Sequence, residues 1–175
     1  MKNIVATLSL LFATTLSAQV AIGKTSISSP AVSLEFYDNA DNTRGIILPW
    51  VTSTAAVTGA VNGTLVYNTA DRKVYVKYAS GWRDLSVDNT GTVTTTLQDS
   101  LTDQDTAKVL IGGDPSTDTT PGILVLADTN KAMVLPKVAS PHLNIVNPSP
   151  GMMVYDTTSK QLAVFNGTVW SFWKP

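Results

Sequence analysis

The sequence predicts a mainly β protein made of two tandem, duplicated, small antiparallel β modules joined by a polar linker rich in Thr and Asp. Three observations support this prediction. The same ordered set of motifs occurs twice in the 175 residues. Each copy consists of short β-branched and aromatic runs separated by Gly, Asn and Asp, a pattern typical of strands and turns. Between the copies lies a stretch with few large apolar residues.

The duplication is clearest in two pairs of motifs. GTLVYNT, which begins at Gly63, aligns with GMMVYDT, which begins at Gly151, at an offset of 88 residues. Upstream, RGIILPWV from Arg44 aligns with KAMVLPKV from Lys131 at an offset of 87. Offsets that drift by only a residue or two indicate loop insertions between fixed elements, so both copies should fold alike.

Each copy should contain an extended strand, a strand that ends at Leu-Pro and a three-stranded meander, because alternating apolar residues and turn residues follow each other in that order. In the first copy the predicted strands are 32–36, 45–48, 64–67, 74–78 and 82–85. In the second copy they are 123–126, 132–135, 152–155, 162–165 and 169–173. Residues 53–60 could form a marginal helical turn, and residues 92–97 an edge strand.

The N-terminal segment reads as a secretory signal peptide over residues 1–18. Lys2 supplies the basic start, an apolar run extends to Leu16, and small residues precede the expected cut between Ala18 and Gln19. Gln19 is not Cys, so lipid attachment there is not expected. No later stretch is long enough to span a membrane, so the mature protein should lie in the periplasm, at the cell surface or outside the cell.

The remaining boundaries follow from composition and from the repeat. They place β module 1 at 19–86, the linker at 87–109 and β module 2 at 110–175. Each module has only about 65 residues, and a core of that size is marginal without disulfides, metal or association. The sequence therefore predicts a homo-oligomer, with a trimer favoured, or attachment to a larger surface-fibre protein.

Composition excludes several other classes of protein. Lys plus Arg is 12 and Asp plus Glu is 13, and this balance argues against a nucleic-acid binder. There is no Cys and one His, which argues against disulfide frameworks, thiolate zinc sites and multi-His metal centres. We expect neither a metal nor a cofactor.

The motifs VAIGKTSISSPAVSLEF, RGIILPWVTS and GTLVYNTADRKVYVKYASGW resemble a repeat of secreted and cell-surface proteins of Bacteroidetes bacteria. That repeat has an Ile-Gly-Thr start, a Leu-Pro strand, a Gly-x-x-Val-Tyr-Asn-Thr strand and an Asn-Gly-x-x-Trp end. It looks like a tail-fibre or adhesin-stalk element. The sequence departs from the pattern at Trp50 and Lys137, where Arg is usual, and at Ala132, where Gly is usual. The resemblance implies a secreted, fibre-like architecture more than an activity.

Residues capable of catalysis are few. His142 is the sole imidazole, and the first copy has no His in the equivalent loop. Glu35 is the only Glu, so a pair of catalytic carboxylates in a cleft is not expected. The Asp-rich segments 38–42 and 99–105 do not match a calcium-binding loop and are interpreted as turns and linker. The sequence predicts a protein that is not an enzyme.

Aromatic residues are the remaining candidates for function. Trp50, Tyr75, Trp82 and Trp170 could pack in the core or at a subunit interface, or could stack on sugar rings. The sequence therefore favours a secreted structural or adhesive protein, and the alternative is a carbohydrate-binding module. Buried rings would favour the first reading, and coplanar exposed rings the second.

Three short tripeptides resemble an O-glycosylation signal of Bacteroidetes secreted proteins. Asp99-Ser100-Leu101 and Asp105-Thr106-Ala107 lie in the predicted linker, so Ser100 and Thr106 are the expected acceptors. The third tripeptide contains Thr157, which is better explained as a turn residue.

Overall fold

The computed structural model describes residues 19–102, 104 and 106–174, so the predicted signal peptide lies outside the described residues. The protein is mainly β with little helix. The strands are β1 (Val20–Ile22), β2 (Val32–Phe36), β3 (Ile46–Ile47), β4 (Trp50–Val51), β5 (Leu65–Asn68), β6 (Lys73–Tyr78), β7 (Gly81–Asp84), β8 (Val109–Ile111), β9 (Leu124–Leu126), β10 (Ala132–Val134), β11 (Lys137–Val138), β12 (Met152–Asp156), β13 (Gln161–Phe165) and β14 (Trp170–Trp173). A 3-10 helix spans Thr54–Ala56, and one α-helix, α1, spans Pro141–Asn144.

The first meander is formed by β5, β6 and β7, which pair antiparallel in chain order. Strand β4 adds to it in parallel, with Trp50 beside Tyr67. The second meander has the same construction from β12, β13 and β14, with β11 added in parallel. Each antiparallel pair of the first meander has a counterpart 88 residues later: Leu65 pairs with Val76, and Met153 pairs with Val164.

Two further parallel pairs precede the meanders in the chain. β1 runs beside β2, and β8 runs beside β9, with Val20 opposite Leu34 and Val109 opposite Leu124. The sequence predicts antiparallel modules, so these parallel pairs differ from the expectation. Parallel neighbours need a long connection, so hairpin turn signals do not reveal them.

The two halves of the chain exchange strand pairings. β10 of the second half pairs in parallel with β2 of the first, and β3 of the first half pairs antiparallel with β12 of the second. The inner faces of both meanders then share one core, formed by Leu48, Tyr67, Val74, Leu85, Met153 and Val164. Each half is too small to bury all of its own apolar surface, and the other half covers part of it.

The outer face of the second meander is covered by its own connection. Ile145, which directly follows α1, packs with Val154, Ala163 and Phe165 in a second apolar cluster. In the first half the 3-10 helix occupies the corresponding connection, and its start is capped by the Ser53 hydroxyl, which accepts a hydrogen bond from the Ala56 amide. This short helix is the marginal turn expected for residues 53–60.

The segment between the halves contains no strand at 92–97 among the described residues, although the sequence allowed an edge strand there. Its first part lies against the β13–β14 turn. The Asn166 side chain donates to Asp88, and the hydroxyl of Thr92 donates to the carbonyl of Gly167. Residues 94–102 are mostly exposed. Thr92 thus satisfies a turn carbonyl, and residues 92–97 do not pair as a strand.

Candidate interaction surfaces

Tyr67 is the central buried aromatic residue of the contact between the halves. Its side chain is 0% exposed, and its hydroxyl donates to the carbonyl oxygen of Asn166 at 2.8 Å. The Trp50 ring lies 6.0 Å from the Tyr67 ring, and its indole N–H donates to the Pro150 carbonyl at 2.9 Å. Burial raises the pKa of Tyr67 to about 12, so the phenol stays a neutral donor at neutral pH.

These contacts define a contact surface on the first half, which we call the occupied surface; Leu48 and Tyr67 are buried in it, whereas Ile47 stays exposed. It consists of Ile46, Ile47, Leu48, Trp50 and Tyr67. Residues 149–153 and Asn166 of the second half lie on it. Ile46 and Ile47 pair with β12, and the Leu48 amide donates to the Gly151 carbonyl at 3.1 Å.

An open apolar groove of about 320 Å³ lies on the second half. It is lined by Met133, Val134, Leu135, Lys137 and Tyr155. Tyr155 remains 37% exposed there. Sequence reasoning missed this groove, although the two motif alignments had already paired each of its lining residues with a residue of the first half. Exposure cannot be read from those alignments.

The predicted aromatic residues all lie half-buried. Trp50 packs in the contact between the halves, and the Trp170 ring lies 5.3 Å from the Phe165 ring in the second apolar cluster. The Lys77 ammonium lies 6.0 Å from the centre of the Trp82 ring. Rings held in this way resemble core or interface residues more than a free stacking platform.

Tyr75 lies on the opposite face of β6 from the shared core, as the alternation predicts. Its hydroxyl donates to the Asp71 carboxylate at 2.6 Å. Burial, followed by this hydrogen bond, raises the pKa of Tyr75. The assignment of Tyr75 to an assembly face stays a prediction.

A polar network that was not predicted from the sequence connects the two halves. The Glu35 carboxylate is fully buried, pairs with Lys24 at 2.8 Å and accepts from the Ser28 amide. Burial raises the pKa of Glu35, but the hydrogen bonds from Lys24 and Ser28 outweigh it, so the pKa lies below its usual value. Asp38 pairs with both Lys24 and Lys137, and the second of these ion pairs joins the halves. The sequence feature that could have indicated this network is Glu35, the single Glu of the chain, in a strand that is otherwise mostly apolar.

The other predicted positions lie apart from these surfaces. Ala18 lies outside the described residues, whereas the Gln19 side chain donates to the Val32 carbonyl at 2.7 Å. Ser100 and Thr106 are both exposed. His142 is exposed on α1, with its ring edge-on to Phe172 at 5.7 Å.

Within the described part of the chain, no cluster of three or more His, Asp or Glu side chains could hold a metal ion. Nor does any helix there combine the length and apolar character that a membrane crossing requires.

The geometry defines a class of protein, a β-structured protein whose main contact surfaces are apolar and join segments of the chain. Residues 114–174 match a family model described as phage tail like trimerisation region. This match covers 61 of the 175 residues and contains β9–β14 and α1. No curated protein and no solved structure gave a significant match. The family match points to a structural, fibre-like role and to a homo-oligomer.

Proposed function

We propose that this chain is a secreted, non-enzymatic structural subunit of a cell-surface fibre or related assembly, and that it works as a homotrimer. The observation that carries the proposal is the match of residues 114–174 to a phage-tail-like trimerisation region. The open groove of Met133, Leu135 and Tyr155 lies in the matched region and supports it, because exposed apolar grooves are typical of contact surfaces.

We also propose that the chain consists of two copies of one β unit, as the resemblance to repeats of Bacteroidetes surface proteins implies. The constant interval of 88 residues between equivalent strand pairs supports this. Leu65–Val76 and Met153–Val164 are one such set. Repeated units of this kind suit a fibre, in which each unit buries surface against its neighbours.

The carbohydrate-binding alternative requires aromatic rings that are free to stack on sugars. Trp50, Trp82 and Trp170 are half-buried, and Trp50 and Trp170 belong to apolar clusters. Their placement favours a structural role for these residues over sugar binding.

Sedimentation of the exported protein tests the proposed function. At micromolar concentration we expect a mass three times that of the chain, because residues 114–174 match a trimerisation region and an apolar groove within them stays exposed in the single chain. A dilution series should show reversible dissociation. A monomeric mass throughout the series, together with a cooperative thermal transition, would contradict the proposal.

Mass spectrometry of exported protein tests the proposed processing. We expect the mature chain to begin at Gln19, because small residues precede the cut and residue 19 is not a lipid-accepting Cys.

The same measurement tests the proposed glycosylation. In a host with the O-glycosylation system of Bacteroidetes secreted proteins, Ser100 or Thr106 should carry glycan, since both are exposed. Peptides that retain residues 1–18, or unmodified linker peptides from native material, would refute the respective assignment.

A further inference from the structure

The groove on the second half is the counterpart of the occupied surface on the first. The offsets of 87 and 88 relate its five residues to the five residues of that surface. Yet the two surfaces differ in cover: Tyr67 is 0% exposed, and Tyr155 is 37% exposed. The difference in cover lies at the Tyr end of each surface. Residues 149–153 cover Tyr67, whereas no described segment covers Tyr155 in the same way. Ile47, at the other end of the occupied surface, stays 54% exposed beside an open pocket of about 410 Å³.

The segment that fills the occupied surface has a counterpart of its own. Residues 149–153 correspond to residues 61–65 by the offset of 88. Gly151, with a φ of 78°, lies directly on Tyr67, so that a Cβ atom there would come within 2.8 Å of the Tyr67 Cβ. Gly63 has the same left-handed backbone, with a φ of 89°, but no described atom lies within 4 Å of its Cβ position.

We propose that residues 61–65 of one copy of this chain bind in the groove of a second copy, and repeat between chains the contact that residues 149–153 make within the chain. This inference rests on the proposed function, because it names the surfaces through which the homotrimer forms. In the complex, Gly63 lies on Tyr155 of the partner subunit, and residues 64–65 pair with β10 as β12 pairs with β3.

Residue sizes at the proposed contact are matched. Gly45 lies against Met152 so closely that a Cβ atom there would come within 2.7 Å of the Met152 Cγ. The counterpart of Gly45 is Ala132, and the counterpart of Met152 is Thr64. The larger residue on one side thus faces the smaller residue on the other in both contacts, which keeps the packed volume similar.

Strand β9 carries a second exposed apolar surface, and the same contact with a second copy would cover it. Within the chain, β10 pairs with β2, and Leu34 of β2 is only 1% exposed. The corresponding strand β9 carries Leu124 at 47% and Ile123 at 65% exposure. If a second copy places residues 61–65 in the groove, the same rotation brings its β3 beside β9. One contact therefore covers both exposed surfaces.

This contact is heterologous, because the groove of one copy receives a different segment of the next. Heterologous contacts either close into rings or continue as open filaments. In a closed ring of three copies, every groove holds the 61–65 segment of the neighbouring copy. This number of copies agrees with the family description for residues 114–174.

Disulfide trapping tests the contact, because the natural chain contains no Cys. In the chain, Met152 and Ile47 are directly opposite each other on antiparallel strands, at a spacing that a disulfide can bridge. The counterpart pair is Thr64 and Val134. The double variant Thr64→Cys/Val134→Cys, oxidised with diamide, should run at three times the chain mass on denaturing, non-reducing gels, and should return to the chain mass on reduction.

Matched controls separate the possible outcomes. Ile47→Cys/Met152→Cys should form its disulfide within one chain without a change in mass, and the single variants should stay at the chain mass. Leu65→Cys/Met133→Cys, the neighbouring pair, serves as a second probe if the first variant melts at a clearly lower temperature than the natural protein.

A trimeric mass by sedimentation without cross-linking of either pair would overturn this contact and leave the proposed function standing. A monomeric mass would overturn both.

Discussion

Replacing Tyr67 with Ala should lower the free energy of unfolding by about 3–5 kcal/mol, which is the usual cost of truncating a buried aromatic residue. Tyr67 is fully buried in the core shared by both meanders. The variant also loses the hydrogen bond to the Asn166 carbonyl, which leaves that buried acceptor unpaired. Urea unfolding followed by circular dichroism measures the change.

Tyr155→Ala is the matched control, since Tyr155 occupies the equivalent position on the second meander. Its side chain is partly exposed in the groove. Under dilute conditions, in which the chains are dissociated, we expect this variant to lose only about 1 kcal/mol. At higher concentration it should weaken assembly. Equal losses of stability for the two variants in the dissociated state would contradict the difference in burial between Tyr67 and Tyr155.

Replacing Gly151 with Ala should cost about 2–5 kcal/mol. The left-handed backbone at this position penalises any Cβ by about 1–2 kcal/mol, and overpacking adds about 1–3 kcal/mol. The overpacking arises because the new methyl group would meet the Tyr67 side chain at 2.8 Å. The melting temperature of the variant should fall by several degrees on this account.

Gly63→Ala isolates the backbone part of this cost. Gly63 has a similar φ but open space around it in the described structure, so the dissociated chain should lose only the backbone penalty. The difference between the two glycine variants then measures the clash with Tyr67. If Gly63→Ala also shifts sedimentation towards the single-chain mass, the methyl group has met the groove of a second copy. An unchanged assembly would count against that contact.

Much of the strand pattern was predictable from sequence. Strand β2 matches its predicted bounds, and the two meanders differ from theirs by a residue at the ends. The alternation in β6 correctly separated Val74 from Tyr75, because a strand places successive side chains on opposite faces. Local turn residues and period-two patterns carry this information, so the meanders could be recognised without a structure.

The pairing of distant strands was not predictable. Strands β3 and β10 have only two and three residues, and each pairs with a strand of the other half of the chain. Nothing in RGIILP or KAMVLP distinguishes pairing within a half from exchange between halves, because both use the same backbone hydrogen bonds. The Glu35–Lys24 pair was missed for a similar reason, since its partners are 11 residues apart and only the fold brings them together.

The sequence by itself determined the β class, the interval between equivalent strands and the aromatic positions, all of which follow from local composition and self-comparison. Only the tertiary structure decided that Tyr67 is buried and Tyr155 is partly exposed. Both residues follow a Gly-x-x-Val motif and pair with the same kind of strand. Their difference arises because residues 149–153 lie on one of them, whereas no described segment of the chain lies on the other in the same way. Burial depends on which distant segment packs against a side chain, and that is a property of the folded chain.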